Sequence, residues 1–157
     1  CRNRIISMSM IHEMLYRTRD LSKISVSDYI ETLTLSINSS FSGNQSRVIF
    51  EYKIDETISL EAERMIPIGL IINEAVSNSF KHAFPDRDGM IRIAFTRTKT
   101  HYCLKITDNG IGLPKELRTE EFESLGIQLI GTLSEQISAE LKILRANGLG
   151  YELRFKS

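Results

Sequence analysis

Apolar residues recur at helical spacing in four stretches of the chain and at every second position in five others. Ile5, Met8, Ile11, His12 and Leu15 predict a helix over 3–17. Residues 20–27 read as a polar break. Ser27 is placed to cap a second helix that runs to about residue 40, with Ile30, Leu33 and Ile37 on one side. A turn cluster follows at 42–46. Val48, Phe50, Tyr52 and Ile54 then alternate with Glu51 and Lys53, the pattern of a half-buried strand. A long helix is expected over about 63–84. Pro67 is tolerated there only in a first turn, which moves the expected start a few residues later.

Ile91, Ile93 and Phe95 alternate in one strand, and Tyr102, Leu104 and Ile106 in the next. The short break at Lys99 and Thr100 makes them an antiparallel hairpin. Residues 110–124 carry two Gly, one Pro and many charges, so they read as a loop; 127–137 reads as a helix. A last hairpin pairs Leu141 and Ile143 with Tyr151, Leu153 and Phe155 across Asn147-Gly148. Every strand has one apolar face, and such a sheet needs helices on one side only. The expected fold is α+β: a two-layer α/β sandwich with a mixed, mostly antiparallel sheet.

Composition narrows the function classes. At 157 residues, with 41% hydrophobic and 25% charged content, the chain suits one domain with a sizeable core. Twenty basic and twenty acidic residues cancel, so bulk charge gives no reason to expect nucleic acid or an anionic membrane as partner. No apolar run has membrane-spanning length. Cys1 and Cys103 read as free thiols in a reducing compartment. The chain begins with Cys rather than Met, and is expected to be a piece of something longer.

Two segments carry the chemistry. In Asn73-Glu74-Ala75-Val76-Ser77-Asn78-Ser79-Phe80-Lys81-His82-Ala83, Glu74 sets one face of the long helix. Asn78 lies about 40° from it and Lys81 about 20° to the other side, at about 100° per residue. Met65, Ile68, Ile72, Ala75, Val76, Ser79 and Ala83 form an apolar face for the sheet. The plain alternative is a solvated stripe. Two mid-helix asparagines, and Leu70 and Ile71 on the stripe side, argue against it. An amide oxygen beside a carboxylate suits Mg²⁺, which keeps its waters and bridges phosphates. Lys81 suits a phosphate. The second segment is Asp108-Asn109-Gly110-Ile111-Gly112. An acid ending an otherwise apolar strand needs a partner, and a buried carboxylate can accept from the amine of adenine. Ser124-Leu125-Gly126 before an apolar helix is a further phosphate-type element. These residues describe a site for a magnesium-bound nucleotide.

They also match a family. Asn73 to Ala83 resembles the N box of the histidine-kinase catalytic domain, Asp108 to Gly112 its first glycine box, Ser124 to Gly131 its second, and Gly148 to Phe155 its closing hairpin. This is the Bergerat-type ATP-binding fold, shared with type II topoisomerases, a heat-shock chaperone and mismatch-repair ATPases. Asn3 through Tyr16 resembles the tail of the phosphoacceptor region in one subfamily of sensor kinases. The resemblance implies a division at residue 19/20, with residues 1–19 ending the phosphoacceptor helix and 20–157 forming the catalytic domain. It implies that Glu74 positions or polarises the attacking group, Asn78 binds Mg²⁺ and Lys81 touches phosphate. His82 lies near the adenosine, and Asp108 binds the adenine amine. Gly110, Gly112 and Gly126 shape the pocket, with 110–124 as a lid.

Three departures stand out. Gln128 replaces a common second glycine, Tyr151 stands where relatives often have Thr, and the family's acceptor histidine lies upstream of this chain. His12, on an apolar stripe, reads as a packed structural histidine, and His101 is given no role. The implied function is ATP-dependent phosphorylation of a histidine on an upstream hairpin, then of a response regulator. The parent would be a cytoplasmic or membrane-anchored homodimer. The alternatives are a serine kinase of the anti-sigma-factor kind, in which no phosphoacceptor helix precedes this fold, and a nucleotide-binding module without transfer activity.

Overall fold

Two short strands, Ile24–Ser25 (β1) and Ser59–Leu60 (β3), pair with each other. Strands Val48–Ile54 (β2), Gly89–Arg97 (β4), His101–Asp108 (β5), Glu140–Leu144 (β6) and Gly150–Lys156 (β7) form a five-stranded sheet in the order β2-β4-β5-β7-β6. The computed structural model describes residue 13 and residues 24–41, 47–83, 88–110, 125–145 and 148–157, the side chains of residues 82, 83 and 125 apart. The helix expected over 3–17 therefore lies outside the described residues except for Glu13, which is helical. The turn cluster at 42–46 and the loop at 111–124 lie outside them too.

The period-two pattern sets the sheet's two faces. Ile91, Ile93 and Phe95 of β4, Tyr102, Leu104 and Ile106 of β5, and Tyr151, Leu153 and Phe155 of β7 are all buried. Arg92, Lys105 and Arg154, between them in sequence, are exposed. Register follows: Ile93 pairs with Ile106, Leu104 with Leu153, and Leu141 with Leu153. All neighbours run antiparallel except β2 and β4, which are parallel, with Phe50 opposite Ile91. A parallel pair needs a crossover, and the long helix supplies it. The mixed, mostly antiparallel sheet of the expected two-layer fold is present.

Helices Val26–Ser40 (α1), Ala62–Asn78 (α2) and Leu125–Gln136 (α3) complete the fold. Val26, Tyr29, Ile30 and Leu33 of α1, and Met65, Ile68, Ile71, Ile72, Ala75 and Val76 of α2, join the strands' apolar face in one core. The ring of Tyr29 lies against Gly69, where a Cβ would sit 2.2 Å from its hydroxyl. Thr34 and Tyr52 share a hydrogen bond that ties α1 to β2.

Three local expectations change. Ser25, not Ser27, caps α1, accepting from the Asp28 N–H; Ser27 is buried inside the helix. Strand β1 lies inside the expected polar break, and its pairing with β3 fixes the start of α1 two residues early. Pro67 lies inside α2, which begins at Ala62 rather than later. The ring removes the bond to the carbonyl of Glu63, an exposed residue. The long helix also changes pitch: α-helix ends at Asn78, and Ser79–Ala83 forms a π-helical turn.

Candidate nucleotide site

The polar stripe of α2 is not solvated. Glu74 is 5% exposed and Asn73 2%, while Asn78 is half-buried. The first turn of α3 covers them. Gly126 sits so close that a Cβ there would lie 3.0 Å from Glu74 Oε2 and 3.1 Å from Asn78 Nδ2. The glycine lets the first turn of α3, with the positive end of the helix dipole, come this close without displacing the carboxylate and the amide. The resemblance put Glu74, Asn78 and Gly126 in one pocket, and the structure brings the three together.

Asp108, 7% exposed, ends β5 at the edge of the core. Its Oδ1 accepts the N–H of Gly110 at 3.0 Å and that of Leu149 at 3.2 Å. Its Oδ2 accepts the hydroxyl of Ser79 at 2.8 Å. The Asp108 N–H in turn donates to the Leu149 carbonyl at 3.0 Å. Gly110 thus helps to hold the Asp108 carboxylate through its backbone N–H. Asn109 Oδ1 accepts from the Met90 N–H, which fastens the turn to β4. Gly148, at φ 121°, makes the close approach possible, since a Cβ there would lie 2.1 Å from the Asp108 carbonyl oxygen.

Tyr151 joins the two halves. Its hydroxyl is buried without a hydrogen bond of good geometry, on the side of the Asn78 amide. Burial pushes it up to about 12, the nearby Asn78 amide eases the shift, and the Asp108 and Glu74 carboxylates add to it. Three of the expected site residues thus act on this hydroxyl. Lys81 is exposed in the π-helical turn. The side chain of His82, and Gly112, lie outside the described residues.

Residue spacing alone missed Ser79, which it assigned to the sheet-facing side of the helix. It also missed the Leu149 N–H and the role of Gly148. The signal for Ser79 was present: a hydroxyl on an apolar helix face, in a domain whose buried strand end carries an acid. Donor chemistry bears on magnesium. Glu74 and Asn78 offer one carboxylate and one amide oxygen. Among the described residues no group of three or more His, Cys, Asp or Glu could hold a metal by itself. That set suits Mg²⁺ carried in with phosphates and water.

Residues 64–156 match the family described as histidine kinase-, DNA gyrase B- and HSP90-like ATPases. The chain belongs to this family. It is an ATP-binding domain of the Bergerat type. Residues 1–41 separately match a family described as histidine kinase. The chain is 27% identical over 140 residues to the sensor histidine kinase PdtaS of Mycobacterium tuberculosis, covering 88% of this chain and 27% of that protein. It is 28% identical over 112 residues to the serine-protein kinase RsbW of Listeria innocua, covering 71% of this chain and 59% of that protein. The histidine kinase domain of the Erythrobacter litoralis EL346 blue-light activated histidine kinase superposes with a TM-score of 0.81 at 20% identity, covering 98% of this chain and 78% of that chain. The chain thus spans about a quarter of the curated sensor kinase it matches. Among the described residues no helix is long and apolar enough to cross a membrane.

Proposed function

We propose that the chain is the catalytic part of a sensor histidine kinase. It passes the γ-phosphoryl group of magnesium-bound ATP to a histidine on an upstream hairpin, from which a response-regulator aspartate takes it. The observation that carries this reading is the succession of a histidine-kinase match over residues 1–41 and the ATPase match over 64–156 in one chain. In this reading residues 1–19 belong to the phosphoacceptor region, and the parent protein works in the cytoplasm as a homodimer.

The chain's own residues then divide the work. Asp108, fixed by three donors, accepts from the adenine amine. Asn78 supplies a neutral oxygen toward Mg²⁺, whose chemistry when bound is charge neutralisation on the phosphates. Lys81 and the first turn of α3 at Gly126 face phosphate, with Gly110 and Gly112 shaping the mouth of the pocket and His82 beside the adenosine. Glu74 is anionic, so it does not favour a bound polyanion in the ground state. Its contribution comes in the transfer step, by orienting the incoming nucleophile or taking its proton.

The match to a serine-protein kinase supports a second reading, transfer to a protein serine. The histidine-kinase match over residues 1–41 favours the first. The test supplies the parent's upstream hairpin and labelled ATP. Acid-labile, base-stable label on the hairpin supports the histidine reading, and acid-stable label on a serine supports the second. Glu74→Gln should bind ATP as well as the parent chain, while transfer falls by about 10²-fold or more. Loss of binding and transfer together would make Glu74 a structural or metal-site residue. Stable phosphohistidine on His12, His82 or His101 of this chain alone would overturn the upstream-acceptor assignment.

A further inference from the structure

A carboxylate has about four lone-pair positions, two on each oxygen. On Asp108, Oδ1 already accepts two N–H groups, from Gly110 at 3.0 Å and Leu149 at 3.2 Å. Among the described residues, Oδ2 accepts only from the Ser79 hydroxyl, at 2.8 Å. One position is left, and it is on Oδ2. The geometry points to Ser79 as a positioning residue: its hydroxyl fixes the plane of the Asp108 carboxylate so that the remaining lone pair of Oδ2 meets the exocyclic 6-amine of a purine. This rests on the reading of Asp108 as the adenine contact.

Ser79 is placed for this task and for little else. It is 7% exposed, and the hydroxyl has one proton to give. Its two acceptors are Asp108 Oδ2 at 2.8 Å and the Ala75 carbonyl at 3.2 Å. The charged acceptor is the shorter and the stronger of the two. The Ala75 carbonyl also accepts the Ser79 backbone N–H, so removing the hydroxyl leaves that carbonyl satisfied. The helix loses no bond it depends on. What is lost is the only side-chain donor to Asp108 among the described residues. Tyr151, whose hydroxyl is buried nearby, turns toward Asn78 and makes no bond to Asp108. Without Ser79 the carboxylate is held through Oδ1 alone and can turn about its Cβ–Cγ bond, so Oδ2 no longer sits at a fixed place for the amine.

The experiment compares ATP with the triphosphate of purine riboside, which has hydrogen where ATP has the 6-amine, by calorimetry on the parent chain, Ser79→Ala and Asp108→Asn. The parent should bind ATP about tenfold or more tightly than the analogue. Asp108→Asn should abolish that preference. Ser79→Ala should lose most of it, with ATP affinity falling by about tenfold and analogue affinity changing less than twofold. A structural role for Ser79 would weaken both nucleotides equally, and that result overturns the inference. A full preference retained in Ser79→Ala also overturns it, while leaving Asp108 as the adenine contact. No preference in the parent chain would remove the Asp108 reading and this inference with it.

Discussion

Replace Gly148 by alanine, and the turn before β7 cannot stay where it is. The residue has φ 121°, a conformation that L side chains rarely adopt. Its Cβ would lie 2.1 Å from the Asp108 carbonyl oxygen and 2.9 Å from Asp108 Oδ1. The first contact is with backbone, so it cannot be relieved by a rotamer change. The turn must move away from the end of β5, or the new alanine must abandon the glycine's φ. Either route stretches the two bonds between these segments, Leu149 N–H to Asp108 Oδ1 and Asp108 N–H to the Leu149 carbonyl. Strain of this kind costs about 1–3 kcal/mol. A bond to a charged acceptor contributes about 1.5–3 kcal/mol and a backbone bond about 0.5–1.5. These terms overlap, and a net loss of about 3 kcal/mol is expected, a large part of the stability of a small domain. In urea, with an m-value of about 1–3 kcal/mol/M, the midpoint should fall by about 1 M or more. Nucleotide affinity should fall with it, because one of the Asp108 donors is displaced. Gly131 provides the opposite sign in the same assay. It lies inside α3, and a Cβ there would meet nothing within 4 Å, so Gly131→Ala should stabilise by about 0.5–1 kcal/mol. A Gly148→Ala loss below about 1 kcal/mol, or unchanged nucleotide binding, would refute the close approach on which the Asp108 site is built.

Gly126→Ala should separate binding from stability: the methyl meets Glu74 Oε2 at 3.0 Å and Asn78 Nδ2 at 3.1 Å, which displaces side chains rather than backbone. Calorimetry should show ATP affinity reduced by about tenfold while stability in urea changes by less than about 1 kcal/mol; equal affinity would remove Gly126 from the site. Stability should also fall in alkali. The Tyr151 hydroxyl is raised in the folded state from 10.0 to about 12, chiefly by burial, so its contribution is whole below pH 10 and is lost as pH rises from there through about 12. The loss should amount to about 2–3 kcal/mol, and Tyr151→Phe should lose correspondingly less over the same range in pH-dependent urea unfolding.

The sheet was legible in the sequence because each strand alternates cleanly. Ile91, Ile93 and Phe95, and Tyr102, Leu104 and Ile106, are all buried as the pattern predicts, and a one-residue slip would have turned each set to water. The β1–β3 pairing was not legible, since two residues are too few for any period to show. The start of α1 then followed that pairing to Ser25 rather than the equally suitable Ser27. Pro67 departs from expectation for a related reason. Local rules set a cost for proline in a helix, but the burial of Met65, Ile68 and Ile72 in the core exceeds the loss of one bond near an exposed turn.

The site divides along the same line. Asn78 and Asp108 stood out because each is the wrong residue for its local surroundings, an amide inside a helix and an acid at the end of an apolar strand; the roles of Glu74 and the glycines came with the resemblance. What a linear reading could not show is which anomalies answer one another. A helix projection puts Glu74 and Asn78 on a stripe away from the sheet and calls that stripe polar; it holds no information about α3, whose Gly126 closes over it. The same projection puts Ser79 on the apolar face, where its hydroxyl looks like a packing residue. Asp108 at the end of β5 looks like an acid without a partner. Each is costly alone, because burying an unpaired hydroxyl or carboxylate is unfavourable. The fold places them 2.8 Å apart, and the two costs become one charge-assisted bond. The pitch change at Ser79–Ala83 begins at the residue that makes this bond. An irregular turn of this kind is common where a helix serves a site as well as a core. The hydroxyl that looks least suited to the apolar face is therefore the side chain that joins the Gly110 and Leu149 N–H groups in holding the carboxylate.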